Sequence, residues 1–140
     1  MIYLLDTCII SETRLKAPNR GVINWLSHQE ADMLYLSAIT IGEITNGIAR
    51  LGATKKAKEL IGWLDELQRS FDGRILSIDA KVAECWGKLL SENERVGKPR
   101  PAIDALICAT AKVYNLTLVT RNVKDMEGMG VKIFNPFDEE

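Results

Sequence analysis

Acidic side chains fall at four separate points along the chain where a predicted strand ends or a predicted helix begins. Asp6 follows the first short apolar run, Glu43 lies early in the helix after the second run, and Asp104 lies early in a later helix. Asn122 and Asp125 follow the fourth run. Carboxylate and carbonyl oxygens are the hard ligands that suit Mg²⁺ or Mn²⁺. Such an ion can activate a bound water and offset charge on a leaving oxygen, so the pattern predicts metal-assisted hydrolysis of phosphodiester bonds.

Each acid also has an ordinary structural explanation. Asp6 could cap a helix that begins at Thr7. The segment Thr40-Ile41-Gly42-Glu43 matches a capping box, in which the glutamate reaches back to a backbone N–H. Asp104 could be a favourable charge near a helix N-terminus, and Asp125 could be a turn residue. Because like charges held together without a cation would repel, the four acids at matching positions favour a metal site over four separate structural roles.

The elements that would position these acids alternate between short apolar runs and longer helical patterns. The predicted strands are residues 2–5, 34–36, 75–78, 117–119 and 131–134. The runs are continuously apolar, as in strands that are covered on both faces, and interleaved helices imply right-handed crossovers in a parallel sheet. The prediction is therefore one three-layer α/β/α domain over residues 1–140, with a parallel sheet of about five strands. Ligands of such sheets bind at the carboxyl ends of the strands, where the acids fall.

Helical spacing of apolar residues predicts five helices between the strands, over residues 22–26, 41–51, 54–71, 82–90 and 103–113. The apolar stripes of three of these helices include Leu51, Ile61 and Ile103, which we expect to face the core. Asp79 is a predicted N-cap, and Pro101 is predicted in the first turn of the last helix.

Composition limits the class of protein. The chain has 140 residues and a net charge of −1, so bulk charge alone would not hold nucleic acid, and local basic groups would have to contact a polyanion. Its three cysteines are far apart and form no CxxC pair, which argues against a zinc site or a disulfide scaffold and fits a reducing compartment. The start of the chain does not resemble a signal peptide, and no apolar run approaches the roughly 20 residues of a membrane helix. We expect a cytoplasmic protein.

Five segments, in order and suitably spaced, resemble PIN-domain proteins. They are LLDTCIISE (4–12), LSAITIGE (36–43), AIDALICATA (102–111), LVTRN (118–122) and FNPF (134–137). Each segment alone is modest, whereas the ordered set spans nearly the whole chain and is specific. The set is similar in particular to the VapC-type toxins of toxin–antitoxin pairs, of the FitB-like kind.

The resemblance implies an Mg²⁺- or Mn²⁺-dependent endoribonuclease that acts as the toxin of a type II toxin–antitoxin system. It implies that Asp6 and Asp104 ligate the metal and that Glu43 completes the acidic pocket. Thr120 and Arg121, in the family's Thr-Arg segment, would support the site. It further implies a homodimer or a dimer of dimers, and a VapB-like antitoxin whose C-terminal segment lies across the active-site groove. Contact with DNA would come only through the antitoxin.

Two residues depart from the family pattern. Cys8 stands where many relatives have Asn, so the side chain that would steady the first acid is replaced. Asn122 stands where some relatives have a fourth acid, and its carbonyl could bind a metal but adds no charge. Asp125 could supply that charge instead, which leaves both one-metal and two-metal sites open.

Two other classes of function compete with the nuclease. A non-catalytic PIN-fold binding or regulatory subunit, acting through an antitoxin-like DNA-binding partner, would fit the neutral Asn122 and the near-zero net charge. An aspartyl-phosphate enzyme or receiver would use Asp6 as nucleophile. That second alternative is disfavoured because Cys8, rather than a second aspartate, follows two residues later and no suitable lysine follows at a strand end.

Overall fold

A central sheet of five parallel strands organises the molecule. The computed structural model describes residues 2–138. The strands are β1 (Tyr3–Leu5), β2 (Leu34–Ser37), β3 (Ile75–Leu76), β4 (Thr117–Val119) and β5 (Ile133–Phe134). Their order in the sheet is β3-β2-β1-β4-β5, and every neighbouring pair is parallel. The predicted parallel sheet is thus confirmed, with β1 at its centre.

Helices cover both faces of this sheet. They are α1 (Thr7–Thr13), α2 (Arg20–Ser27), α3 (Ala38–Ala49), α4 (Lys55–Ser70), α5 (Ala80–Arg95), α6 (Ala102–Val113) and α7 (Val123–Met126). Successive strand residues enter different cores: Leu4 packs with the apolar residues of α5 and α6, whereas Leu5 packs with those of α1, α3 and α4. This alternation follows from the two-residue period of a strand, and it builds the three-layer architecture. Across residues 2–138, no helix is both long and apolar enough to cross a membrane.

Side-chain caps fix where several helices begin. Asp79 caps α5 by accepting a hydrogen bond from the Val82 backbone N–H at 2.9 Å, as the sequence predicted. Thr54 caps α4 in the same way. These caps satisfy N–H groups that the helix itself leaves without partners.

Some predicted boundaries and core positions are wrong. The two edge strands β3 and β5 are only two residues long, shorter than the predicted residues 75–78 and 131–134, and each pairs with a single neighbouring strand. Leu51, Ile61 and Ile103 are 40%, 51% and 38% exposed, so the sequence stripes were wider than the faces that the helices bury. Pro101 lies at the N-cap of α6 rather than inside its first turn. The four-residue helix α7 was not predicted because it is too short to show a period.

Candidate functional site

The carboxylate of Asp6 lies at the carboxyl end of the central strand β1 and is only 6% exposed. Its Oδ1 accepts a hydrogen bond from the Thr7 backbone N–H at 2.8 Å, so Asp6 is the N-cap of α1. Its Oδ2 accepts a hydrogen bond from the Thr120 hydroxyl at 2.7 Å. The capping role and the site role are therefore compatible, because Oδ1 has one fixed donor and can still offer its second lone pair.

Thr120 is fully buried at the end of β4, where it orients Asp6. Its Oγ1 accepts a hydrogen bond from the Asn122 backbone N–H at 3.0 Å. A threonine hydroxyl has one proton, which the Thr120 hydroxyl donates to Asp6. Thr120 therefore contacts the first acid by a hydrogen bond, the kind of support that the family resemblance implies for it.

Cys8 occupies the space beside the first acid. Its thiol lies 3.8 Å from Asp6 Oδ2 and accepts a hydrogen bond from the Arg121 backbone N–H at 3.5 Å. Burial, followed by the negative charge of Asp6, raises the pKa of the Cys8 thiol above its usual value. The neutral thiol thus acts as a weak donor to Asp6, in the position where many proteins of the family that the chain resembles have Asn.

Glu43 lies in the second turn of α3, and its partner is not the helix backbone. The Thr7 hydroxyl donates to Glu43 Oε1 at 2.6 Å, across a sequence separation of 36 residues. The capping-box interpretation was wrong, because α3 begins at Ala38 and Ser37 is its N-cap. The helix starts earlier than the apolar pattern indicated, which leaves Glu43 free to point toward the end of β1.

Asp104, in the first turn of α6, shows that the acids share one electrostatic environment. Burial raises the pKa of Asp104 above its usual value, and the charges of Asp125, Asp6 and Glu43 raise it further, in that order. The nearby Arg100 acts in the opposite direction. Three of the predicted carboxylates therefore lie close enough to the fourth, Asp104, for their charges to act on it.

The two remaining predicted residues are placed differently. Asn122 is exposed and joins the site through its backbone N–H. The Arg121 guanidinium lies 4.6 Å from the ring centroid of Phe137, so it packs on the segment that follows β5. Both residues are thus linked to the site through their backbone N–H groups, which donate to Cys8 and to Thr120.

The donor set is compatible with a hard divalent cation. Among the residues that the structure describes, no group of three or more His, Cys, Asp or Glu side chains is arranged to hold a metal ion. Mg²⁺ does not require such a cage, since it is usually bound by one or two carboxylates and keeps several waters. The neighbouring negative charges that raise the pKa of Asp104 also form an environment that a cation would relieve. Asp6 and Asp104 are therefore suitable direct ligands.

Two residues of the site were not predicted. Thr7 donates a hydrogen bond to Glu43, and the feature of the sequence that could have indicated a role for Thr7 was its position directly after Asp6. Arg100 donates from Nη1 to the Asp125 backbone oxygen and from Nη2 to the Glu127 backbone oxygen, both at 2.6 Å. Its sequence signal was only its membership of a basic pair with Lys98.

A cleft of about 240 Å³ opens beside Glu43, between α1, α3 and α4. Thr7, Arg14, Leu60 and Trp63 contribute to its lining. Glu43 and Arg14 supply charged groups to this lining, and Leu60 and Trp63 supply apolar ones.

Fold and site together define a PIN domain, an α/β domain with acids gathered at the carboxyl ends of its parallel strands. The PIN-domain family profile matches residues 3–127. The chain belongs to the PIN-domain family.

Relatives within that family narrow the comparison. The chain is 38% identical to the toxin FitB of Neisseria gonorrhoeae, over 99% of this chain and all of that protein. It is 32% identical to the VapC ribonuclease Y4jK of Sinorhizobium fredii, over 98% of this chain and 99% of that one. A solved structure of FitAB bound to an IR36 DNA fragment contains a chain that matches with a TM-score of 0.92 and 36% identity, covering 99% of this chain and 98% of that one.

Proposed function

We propose that this protein is a metal-dependent endoribonuclease that acts as the toxin of a type II toxin–antitoxin pair. The observation that carries the proposal is the convergence of Asp6, Glu43 and Asp125 on Asp104, whose pKa their charges raise. Similarity over nearly the full chain to a VapC ribonuclease and to the FitB toxin gives the activity and its biological context.

Each residue of the site would have a separate part in hydrolysis. Asp6 and Asp104 would hold Mg²⁺ or Mn²⁺, and the ion would lower the pKa of a bound water and offset charge on the leaving oxygen. Thr120 and the Thr7 backbone N–H fix the Asp6 carboxylate, so its orientation is set before substrate binds. Glu43 is held at Oε1 by Thr7, and its Oε2 would accept a proton from the attacking water.

An antitoxin partner follows from the same relatives. The FitAB structure contains DNA, and we propose that DNA contact by this protein likewise occurs through a VapB- or FitA-like antitoxin. The cleft beside Glu43 would receive a segment of that antitoxin and thereby cover Glu43. The toxin would form a homodimer or a dimer of dimers in the complex.

The test is cleavage of total tRNA and rRNA by the purified, antitoxin-free protein. Reactions contain Mn²⁺, Mg²⁺ or EDTA, and Asp104→Asn is the matched inactive control, since it keeps the shape of the side chain and removes its charge. We expect metal-dependent cuts at discrete internal positions that are absent with EDTA and in the variant.

Two results would contradict the proposal. Cuts of equal intensity with Asp104→Asn would show that a contaminating nuclease or a different site is responsible. If a folded wild-type sample cuts in no lane and binds no Mn²⁺ at millimolar concentration, the result favours a non-catalytic PIN-fold subunit, for which the neutral Asn122 is the motivating observation.

A further inference from the structure

Arg100 links two segments that carry acids of the site. It stands in the loop between α5 and α6, four residues before Asp104, and is partly buried. Its Nη1 and Nη2 donate to the backbone oxygens of Asp125 and Glu127, each at 2.6 Å. The planar guanidinium therefore grips two carbonyl groups at the C-terminal end of α7 at once, a geometry that a lysine ammonium cannot reproduce.

Helix α7 has little of its own to keep it in place. It contains four residues, which is far below the length at which an isolated helix is stable. Its N-cap residue Asn122 makes no side-chain capping bond. Met126 is buried at 1% exposure, its backbone oxygen lies 4.0 Å from the Cys108 thiol, and Met129 is buried just beyond the helix. The two hydrogen bonds from Arg100 hold the backbone on either side of Met126 and join it to the loop before α6.

The orientation of Asp125 depends on these hydrogen bonds, because one of them is made to its own backbone oxygen. Asp125 lies in the short helix that begins three residues after Thr120, whose hydroxyl donates to Asp6. Its backbone oxygen is bound by Arg100, which stands four residues before Asp104. Its side chain is exposed, and its negative charge acts on Asp104. Asp125 carries the negative charge that Asn122 does not. Without the two Arg100 hydrogen bonds, the backbone of Asp125 would lose its link to the loop that precedes Asp104.

We propose that Arg100 is a positioning residue that makes Asp125 part of the acidic site, by clamping the backbone of α7 against the start of α6. The inference deepens the proposed function and rests on it where metal binding is concerned. A purely electrostatic role for Arg100 is the competing explanation. The two explanations predict opposite effects of Arg100 on metal affinity. A positive charge near the acids would weaken metal binding, whereas a clamp that positions Asp125 would strengthen it.

The experiment measures Mn²⁺ binding to the full chain by the electron paramagnetic resonance signal of free Mn²⁺, and amide hydrogen exchange of residues 123–128. The variants are Arg100→Lys, Arg100→Gln, Asp125→Asn and the double variant Arg100→Lys with Asp125→Asn. Arg95→Lys, the same exchange at an exposed position in the last turn of α5, is the matched control. Asp104→Asn reports separately on the metal site itself.

We expect Arg100→Lys to weaken Mn²⁺ binding by about tenfold, the lower end of what loss of a supporting residue costs a metal site. Asp125→Asn should weaken it similarly, and the double variant should be no weaker than either single one, since both remove the same contribution. Exchange over residues 123–128 should accelerate in Arg100→Lys and stay at the wild-type rate in Asp125→Asn and Arg95→Lys.

Other results separate the inference from the proposed function. Wild-type Mn²⁺ affinity in Arg100→Lys with tighter binding in Arg100→Gln would overturn the clamp in favour of charge alone. The clamp would also be overturned if the loss of Mn²⁺ affinity in the double variant equalled the product of the losses in the two single variants. If the wild-type protein binds no Mn²⁺, the proposed function fails. Hydrogen exchange then decides the clamp, which is refuted if residues 123–128 exchange at the wild-type rate in Arg100→Lys.

Discussion

The hydrogen bond between Thr7 and Glu43 joins two acid-bearing segments, and its removal is a sharp test of the site. Thr7→Val keeps the branched shape of the side chain and deletes the hydroxyl that lies 2.6 Å from Glu43 Oε1. The Thr7 backbone N–H, which binds Asp6, is unaffected by the exchange. The variant therefore releases Glu43 and leaves the first acid in place.

The size of the effect follows from the charge of the acceptor. A hydrogen bond to a charged group contributes about 1.5–3 kcal/mol, and about 1.4 kcal/mol corresponds to a tenfold change in rate. The Thr7–Glu43 bond is exposed to solvent, which places it at the lower end of that range. We expect Thr7→Val to slow single-turnover RNA cleavage about tenfold.

Thr7→Ser is the matched control, since it restores the hydroxyl without the methyl group. It should cleave within about twofold of the wild-type rate, a small factor beside the loss expected for valine. Thermal unfolding of both variants should stay close to wild type, because the bond lies at the surface of the site. Wild-type cleavage by Thr7→Val, or serine and valine variants that are equally slow, would refute the assignment of Thr7 as the support of Glu43.

Three further predictions concern charge and stability. Because the pKa of Asp104 is raised in the folded protein, the stability of the metal-free protein should fall as pH rises from the ordinary aspartate range through that raised value. Asp104→Asn should then unfold at a higher temperature than wild type at neutral pH but not at acidic pH. Equal melting temperatures of the two proteins at neutral pH would contradict this prediction. Asp6→Asn should abolish cleavage and keep the helix cap while losing the Thr120 hydrogen bond, since Asn also caps helices. Asp6→Ala should be less stable than Asp6→Asn by about 1 kcal/mol in a denaturant titration, and an alanine variant as stable as the asparagine variant would remove the capping role. Mn²⁺ at 100 times its dissociation constant should stabilise wild type by about 2.7 kcal/mol but leave the melting temperature of Asp104→Asn nearly unchanged, and an equal shift in both would place the ion elsewhere.

Much of the site was predictable because a parallel sheet converts sequence position into spatial position. The end of each apolar run gave the carboxyl end of a strand, and β1, β2 and β4 end side by side in the sheet. Asp6 and Thr120 could therefore be placed together from strand ends alone. Asp104 followed in the same way from its place in the first turn of α6.

The contacts that orient these acids were not predictable, because they depend on which turn of one element meets another. The sequence around Glu43 fits a local capping motif. The structure shows that α3 already begins at Ala38 and that Glu43 instead accepts a hydrogen bond from Thr7, 36 residues away. Arg100 gave no signal beyond its charge, since its partners are backbone oxygens of α7. Backbone acceptors occur at every residue, so sequence cannot specify which of them a side chain will bind.

The acids are held together by the rigid sheet and by neutral donors, rather than by attraction among themselves. The hydroxyl of Thr120, the backbone of Thr7 and the thiol of Cys8 all contact the Asp6 carboxylate, and each of the three is uncharged. Neutral donors orient a carboxylate without cancelling its charge, whereas an arginine bound directly to Asp6 would compete with a cation for the same oxygens. Arg100 fits the same principle, because it binds carbonyl oxygens and leaves the Asp125 carboxylate unpaired by its guanidinium. The site thus keeps its negative charge for a ligand at a cost in stability that the packed cores on both faces of the sheet must offset.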